Sequence, residues 1–279
     1  MSGDNTIWDK MGSIDYRYVY AITIVLILIP VIRPLGIPMK TTKITVDYFN
    51  AIDNLPAGSI VAVSMGGGMG TLDELESAFL ATWRVLFQRD LKVVFYSTTA
   101  DGPIILDYHF KEKVKPENYG KEYGVDYVRL GYNPLGEPGE ASFALSIRSV
   151  YSTDYQGTPL DDIPLMQNID SHEDIDLLIY IYTACTSVEI VVRQWIVPYN
   201  QPSVGITLGC CGPMASPYYP GQLLSFLSGS GPGAELEIVG NVPGPGALIN
   251  DAKNLGIIGL LIFLVLGNAS YWGKRLTGG

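Results

Sequence analysis

The distribution of apolar residues divides this chain into three parts. Two long apolar stretches lie near its ends, at 18–32 and 255–272, and the region between them mixes short apolar runs with polar segments. A membrane-spanning helix needs about 20 mostly apolar residues. The pattern therefore predicts a soluble domain bracketed by two transmembrane helices, with both termini on the same side of a bilayer.

The flanks of both stretches are typical of membrane spans. The first begins among tyrosines and is flanked by Arg17 and Arg33, and the second ends at Tyr271 and Trp272. Aromatic and long basic side chains favour the membrane interface. A cleaved signal peptide is the alternative for the first stretch, but Arg33 does not suit a small-residue cleavage site. A buried core helix is the alternative for the second.

Basic residues occur on both sides of each stretch, and the basic tail after the second favours termini inside and the domain outside the cell. We therefore expect a two-span protein of the cell membrane with an extracytoplasmic domain. The expected organisation is an N-terminal tail (1–15), a first transmembrane helix (16–37), a Rossmann-like domain (39–240), a Gly/Pro-rich linker (229–253), a second transmembrane helix (254–273) and a C-terminal tail (274–279).

Within the central region, short apolar runs alternate with amphipathic stretches, which is typical of βα units and a mostly parallel sheet. Strands are predicted at 59–64, 92–97, 126–130, 176–182 and 203–208. Helices are predicted at 46–54, 71–89, 103–113, 141–150, 187–197 and 219–227. Right-handed crossovers would build these into an α/β fold, a Rossmann-like three-layer sandwich, with ligand sites at the carboxyl ends of the strands.

A glycine-rich segment, 64–71, joins the first predicted strand to its helix. Glycines let a backbone approach an anion closely, and free N–H groups at a helix start can bind phosphate. The dinucleotide spacing G-x-G-x-x-G is absent, and there is no Walker lysine. A phosphate site and a purely structural turn both remain open for this segment.

The run GGMGTLDE, 67–74, resembles the GGxGTxxE signature of the cytokinin-activating phosphoribohydrolases. In that family the glycines and threonine hold a nucleotide phosphate and the glutamate helps to cleave an N-glycosidic bond. The resemblance implies a phosphate site at Gly67, Gly68, Gly70 and Thr71, with Glu74 as the catalytic carboxylate.

A second resemblance covers more of the chain. The segments RPLGIP (33–38), SIRSV (146–150), DYQGTPL (154–160) and YPGQL (219–223) are similar to those of uncharacterised prokaryotic two-span membrane proteins with a Rossmann-like domain. This resemblance implies the same architecture and carries no catalytic residues.

The net charge and the residue composition restrict which partners and which kinds of site we expect. A formal net charge of −10 argues against a nucleic-acid partner. With only two histidines and no Cys-x-x-Cys or HExxH spacing, neither a metal nor a cofactor is expected. His109 is expected on a helix surface. The three cysteines are expected to be small, mostly buried residues rather than a disulfide framework: Cys185, Cys210 and Cys211.

A long loop, 151–174, and a second tyrosine pair suit a protein interface, because tyrosine combines apolar area with a polar tip. The candidate interface residues are Tyr151, Tyr155, Tyr218 and Tyr219.

Two function classes follow from these patterns. The favoured one is a membrane-anchored structural or binding protein, without enzymatic activity, whose domain mediates oligomerisation or assembly into a membrane complex. Its partners would be the bilayer and copies of itself or other membrane-protein subunits. The alternative is a phosphate- or nucleotide-binding enzyme, phosphoribohydrolase-like, that uses the 66–71 loop.

Overall fold

The computed structural model describes residues 7–33, 35–37 and 39–277. They belong to two compact units, one made of 1–38 and 247–279 and the other of 39–246. The expected terminal tails fall partly on 1–6 and 278–279, which lie outside the described residues.

The larger unit is built on a six-stranded, entirely parallel sheet. The strands are β1 (Ile60–Gly66), β2 (Lys92–Ser97), β3 (Tyr127–Tyr132), β4 (Leu177–Tyr182), β5 (Ser203–Thr207) and β6 (Ser225–Ser228). Their order in the sheet is β3-β2-β1-β4-β5-β6. Most strand residues are buried, and such near-continuous apolar strands are typical of parallel sheets covered on both faces.

Helices cover both faces of this sheet. The helices are α3 (Lys43–Asp53), α4 (Leu72–Gln88), α5 (Gly102–Tyr108), α6 (Gly136–Leu145), α7 (Ser187–Val191), α8 (Val197–Tyr199), α9 (Gly212–Ala215) and α10 (Gly231–Val239). One core contains side chains of α3, α4, α5 and α10, and the other contains side chains of α6 and α7, so alternate strand residues point into each. Turns of π-helix extend α5 (His109–Lys113) and join α7 to α8 (Val192–Ile196).

The α/β prediction is confirmed, and each of the five expected strands lies within two residues of an observed one. The helix expected at 219–227 was wrong, because its last three residues belong to strand β6 (Ser225–Ser228), a four-residue run too short for its periodicity to identify. The linker expected at 229–253 contains α10 and the start of the last helix, because Gly and Pro are tolerated in the first turn of a helix.

In the part of the smaller unit that the structure describes there are three helices, α1 (Ile7–Gly12), α2 (Tyr16–Ile32) and α11 (Gly246–Thr277). The helix expected at 16–37 ends at Ile32. Gly256 and Gly259 of α11 face Ile27 and Leu26 of α2 at distances that leave little room for a Cβ. These glycines therefore allow close helix packing, the geometry that small residues favour between apolar helices.

An aspartate of α11 holds the segment that follows α2. The carboxylate of Asp251 accepts backbone hydrogen bonds from Leu35 (3.0 Å), Gly36 (2.9 Å) and Ile37 (3.2 Å). Three N–H groups that lack helical partners are thereby satisfied. The end of one helix and the start of the other are consequently joined within this unit.

Among the described residues, α11 is the one helix that is long and apolar enough to cross a membrane, with a mean hydropathy of 1.9 in its most apolar part. The apolar α2 has 17 residues, a rise of about 26 Å. That is slightly less than the roughly 30 Å hydrocarbon core of a bilayer. The chain thus carries one candidate membrane helix and one shorter apolar helix.

His109 was expected on a surface but is fully buried against α4. The Trp83 indole Nε1–H donates to its Nδ1 at 3.2 Å. Burial, together with the charges of Lys113 and Arg84, lowers the pKa of His109 from 6.5 to about 4. The folded protein therefore keeps this imidazole neutral where the unfolded chain would protonate it.

We expect the free energy of unfolding to fall as the pH drops from about 6.5 towards 4, because only the unfolded state gains a proton at His109 in that window. The contribution lost is about 3 kcal/mol. In His109→Gln, whose amide oxygen can still accept from Trp83, this part of the pH dependence should disappear. Urea unfolding of both proteins in detergent between pH 7 and pH 4 measures the difference, and identical slopes would contradict it.

Candidate functional site

A cavity lies at the carboxyl edge of the sheet, where the strand order reverses. The chain runs from β1 towards β3 on one side and from β4 towards β6 on the other, so the loops after β1 and β4 diverge. Parallel sheets bind ligands in this crevice. The switch-point cavity measures about 220 Å³ and is lined by Gly66, Thr98, Thr99, Gly136, Glu137, Glu140, Tyr182, Thr183, Ala184, Ser187 and Ile190.

Glycine at the end of β1 makes this geometry possible. A Cβ on Gly66 would collide with the carbonyl oxygen of Ile181 and with the ring of Tyr182, both on β4. The two central strands can therefore stay paired to their carboxyl ends only with glycine here.

The lining of the cavity includes Glu140, which is 2% exposed. Its Oε1 accepts from Tyr182 Oη (2.7 Å) and Ser64 Oγ (3.0 Å). Its Oε2 accepts from Tyr96 Oη (2.8 Å) and Trp195 Nε1 (2.9 Å). A buried carboxylate is stable only when its oxygens are hydrogen-bonded in this way.

The two tyrosines remain donors across the physiological range. Burial and the adjacent Glu140 charge raise the pKa of Tyr96 and of Tyr182 well above the usual value for a phenol. Both hydroxyls therefore stay protonated beside the carboxylate. Sequence analysis missed this cluster, because its members come from three strands and two helical segments, and a glutamate early in a helix suggests only a solvated helix start.

The rim of the cavity is rich in hydroxyl groups. Thr99 Oγ1 donates to the Gly67 carbonyl at 2.9 Å, and Thr183 Oγ1 lies 3.4 Å from the Gly66 carbonyl. The first residue of α6 also lines the cavity, and no side chain caps that helix start. Hydroxyls and free helix N–H groups bind ligand oxygen atoms.

The second carboxylate of the lining, Glu137, is engaged by side chains outside the cavity. Arg193 contacts it through Nε and Nη2, each at 3.0 Å, and the Gln194 amide donates to it at 2.9 Å. Arg193 and Gln194 together lower the pKa of Glu137, with Arg193 the larger cause. This carboxylate is therefore ionised and paired.

The glycine-rich segment is closed by protein groups rather than open to an anion. Asp101 Oδ2 accepts from the Met69 backbone N–H at 2.9 Å, and Thr71 Oγ1 donates to the Gly68 carbonyl at 2.7 Å. A carboxylate thus takes the place that the resemblance gives to a phosphate. Gly67, Gly68, Gly70 and Thr71 all lie outside the lining of the cavity.

The candidate catalytic residue Glu74 lies near a different strand. Its Oε1 accepts from the Gly209 backbone N–H at 2.7 Å, in the turn that follows β5. It also lies close to Gly229, after β6. Glu74 therefore connects α4 to the turns that follow β5 and β6. Its side chain does not line the cavity.

The four candidate interface tyrosines differ in exposure. Tyr151 is 7% exposed and packs edge-to-face on Phe143, so it offers almost no surface to a partner. Tyr155 is 45% exposed and faces the Arg129 guanidinium at 5.2 Å. Tyr218 and Tyr219 are partly buried.

The cysteines depart from the sequence expectation. Cys185, after β4, and Cys211, after β5, form a disulfide. Cys210 is a free, exposed thiol. Spacing could not identify this pair, because 26 residues separate its members and only the parallel pairing of β4 with β5 brings them together.

Comparison of this chain with protein-family models, with curated proteins and with solved structures found no significant match.

Replacing Glu140 with methionine, a chain of similar length that accepts hydrogen bonds poorly, leaves four buried donors without their acceptor. We expect a loss of about 3 kcal/mol in the free energy of unfolding. Glu137→Met is the matched control, because it removes a partly exposed ion pair worth about 1 kcal/mol or less. Urea denaturation of the three proteins in detergent compares them, and equal losses would contradict the role given to Glu140.

Proposed function

We propose that this chain is a membrane-anchored binding protein whose Rossmann-like domain binds a small, oxygen-rich ligand in the switch-point cavity. The observation that carries the proposal is the position of this cavity, in the crevice where open parallel sheets bind their ligands. Its hydroxyl-rich rim and the uncapped start of α6 supply donors and acceptors for ligand oxygens.

The size of the cavity limits the ligand. Sites for drug-sized molecules usually enclose about 300–1,000 Å³, whereas this cavity holds about 220 Å³. A hydroxy acid, an amino acid or a monosaccharide is of suitable size, and a complete nucleotide is too large to be enclosed. The ligand is therefore a small hydroxylated or carboxylated molecule.

Binding is favoured over catalysis by the state of the two carboxylates. Both oxygens of Glu140 accept two hydrogen bonds each, and Glu137 is paired with Arg193. Neither is available as a general base without giving up these partners. The phosphoribohydrolase-like alternative also requires Asp101 to leave the Met69 N–H, since a phosphate there would meet a like charge.

We extend the proposal to the membrane anchor. The helix α11 crosses the bilayer, α2 crosses beside it as a shorter second span, and the domain lies outside the cytoplasm. Two observations support this orientation. Disulfides such as Cys185–Cys211 persist in oxidising compartments, and Lys274 and Arg275 follow the apolar part of α11 as cytoplasmic basic residues do.

We expect thermal-shift measurements on the full chain in detergent to find stabilisation by a small hydroxy acid, amino acid or sugar. Ligand at 100 times its Kd stabilises by about 2.7 kcal/mol. Ala184→Trp places an indole at the cavity wall from an exposed position and should abolish the shift. Ala57→Trp, an exposed site before β1 at the opposite edge of the sheet, should keep it.

Two outcomes would overturn this proposal. Stabilisation by nucleotides that is lost in Gly70→Val would favour the enzymatic alternative, and Gly70 suits this test because a Cβ added to it would meet open space. No stabilising ligand, together with a uniform large complex on size-exclusion chromatography, would favour the assembly role expected from the sequence.

The orientation predicts labelling of Cys210 on intact cells by a membrane-impermeant maleimide, since this thiol is free and exposed. Cys210→Ser is the control and should remain unlabelled under the same conditions. Labelling only after the cells are permeabilised would place the domain in the cytoplasm and contradict the proposal.

A further inference from the structure

Three cysteine sulfurs meet at the carboxyl ends of β4 and β5. The Sγ atoms of Cys185, Cys210 and Cys211 all lie within 4.8 Å of one another. Two of them form the disulfide, and the third, Cys210 Sγ, lies 3.8 Å from Cys211 Sγ. A free thiol in contact with a disulfide is the arrangement from which thiol–disulfide exchange proceeds.

The three residues differ in their access to solvent. Cys211 is 2% exposed, with its sulfur 3.9 Å from the Thr183 carbonyl oxygen, and Cys185 is half-buried. Cys210 is exposed and is not part of the disulfide. An external thiol therefore reaches Cys210 more easily than it reaches the buried sulfur of Cys211.

We propose that Cys185, Cys210 and Cys211 form a thiol–disulfide exchange site that oxidises a dithiol, with Cys210 as the residue that moves the disulfide to the surface. In the first step the Cys210 thiolate attacks Cys185 Sγ. A Cys185–Cys210 bond forms, the Cys185–Cys211 bond breaks, and its electron pair leaves on Cys211, which takes up a proton. Attack on Cys185 is favoured because a bond between adjacent Cys210 and Cys211 forms only with strain.

The second stage transfers oxidation to the dithiol. One thiolate of the dithiol attacks the exposed Cys210 Sγ, and the electron pair of the Cys185–Cys210 bond leaves on Cys185. The second thiolate of the dithiol then attacks the first sulfur of the dithiol, which is bonded to Cys210 in the mixed disulfide. A bond forms between the two sulfurs of the dithiol, and Cys210 leaves as a thiolate. The dithiol has lost two electrons and two protons and become a disulfide, and the protein has gained one dithiol in place of its disulfide.

This site is distinct from the switch-point cavity, although Thr183 and Ala184, which line the cavity, directly precede Cys185. The exchange uses sulfur atoms alone and needs no group of the cavity. Loss of ligand binding in Ala184→Trp would therefore leave this inference untouched.

The test uses the oxidised full chain in detergent and dithiothreitol as the dithiol. We expect Cys210→Ser to slow reduction of the Cys185–Cys211 disulfide about tenfold, because the probe must then attack the shielded bond directly. Free thiols are counted at successive times. Unchanged far-ultraviolet circular dichroism shows that the exposed substitution leaves the fold intact.

A second control tests whether the position of the exposed thiol affects the rate of disulfide reduction. In Cys210→Ser with Ala57→Cys, an exposed thiol lies before β1 instead of beside the disulfide. This double variant should react as slowly as Cys210→Ser alone. Recovery of the fast rate would show that any surface thiol suffices, and would overturn the proposal.

Alkylation without any dithiol gives an independent readout. If exchange occurs, N-ethylmaleimide and peptide mapping find label on Cys211 as well as on Cys210 in the wild-type protein, because the rearranged disulfide frees Cys211. Label on Cys210 alone, with equal reduction rates for wild type and Cys210→Ser, would make Cys185–Cys211 a structural disulfide and refute the inference.

Discussion

The buried carboxylate of Glu140 is the interaction on which the centre of this domain depends. Its four donors belong to β1, β2, β4 and the helical segment after β4, so one side chain joins the strands on both sides of the switch point. Without an acceptor there, the Tyr96 hydroxyl and the Trp195 indole N–H would be buried unpaired, and the Ser64 and Tyr182 hydroxyls would keep only each other, at 3.3 Å. The same side chain that joins these strands also lines the cavity, which links the stability of the fold to the shape of its candidate site.

Much of the architecture could be predicted from the sequence, because apolar runs of strand length alternate with helical periodicity. The missing strand, β6, is only four residues long, and its neighbourhood has no period of its own. Strand order could not be predicted in this way, because no local pattern indicates that β1 pairs with both β2 and β4. This pairing nevertheless creates the crevice. His109 shows a related difficulty, since its hydrogen-bond partner, Trp83, lies in another helix, 26 residues earlier in sequence.

The candidate site was harder to predict than the fold. The glycine-rich turn lies at the expected edge of the sheet, but Asp101, 32 residues away in sequence, takes the Met69 N–H that an anion would need. The motif indicates a backbone conformation, but a side chain distant in sequence determines whether the backbone N–H groups remain free to bind an anion. The same reasoning applies to Glu74, which the β5 turn engages. Long-range partners of this kind leave no signal in residue spacing.

The pairing of α2 with α11 has a consequence for how the molecule is made. Asp251 binds backbone groups more than 200 positions earlier, 216 residues away at Leu35. A ribosome completes the first apolar helix long before it synthesises the glycines that face it. The short α2 must therefore persist without α11 as its packing partner while the whole central domain is synthesised. The smaller unit is therefore begun before the central domain and completed after it.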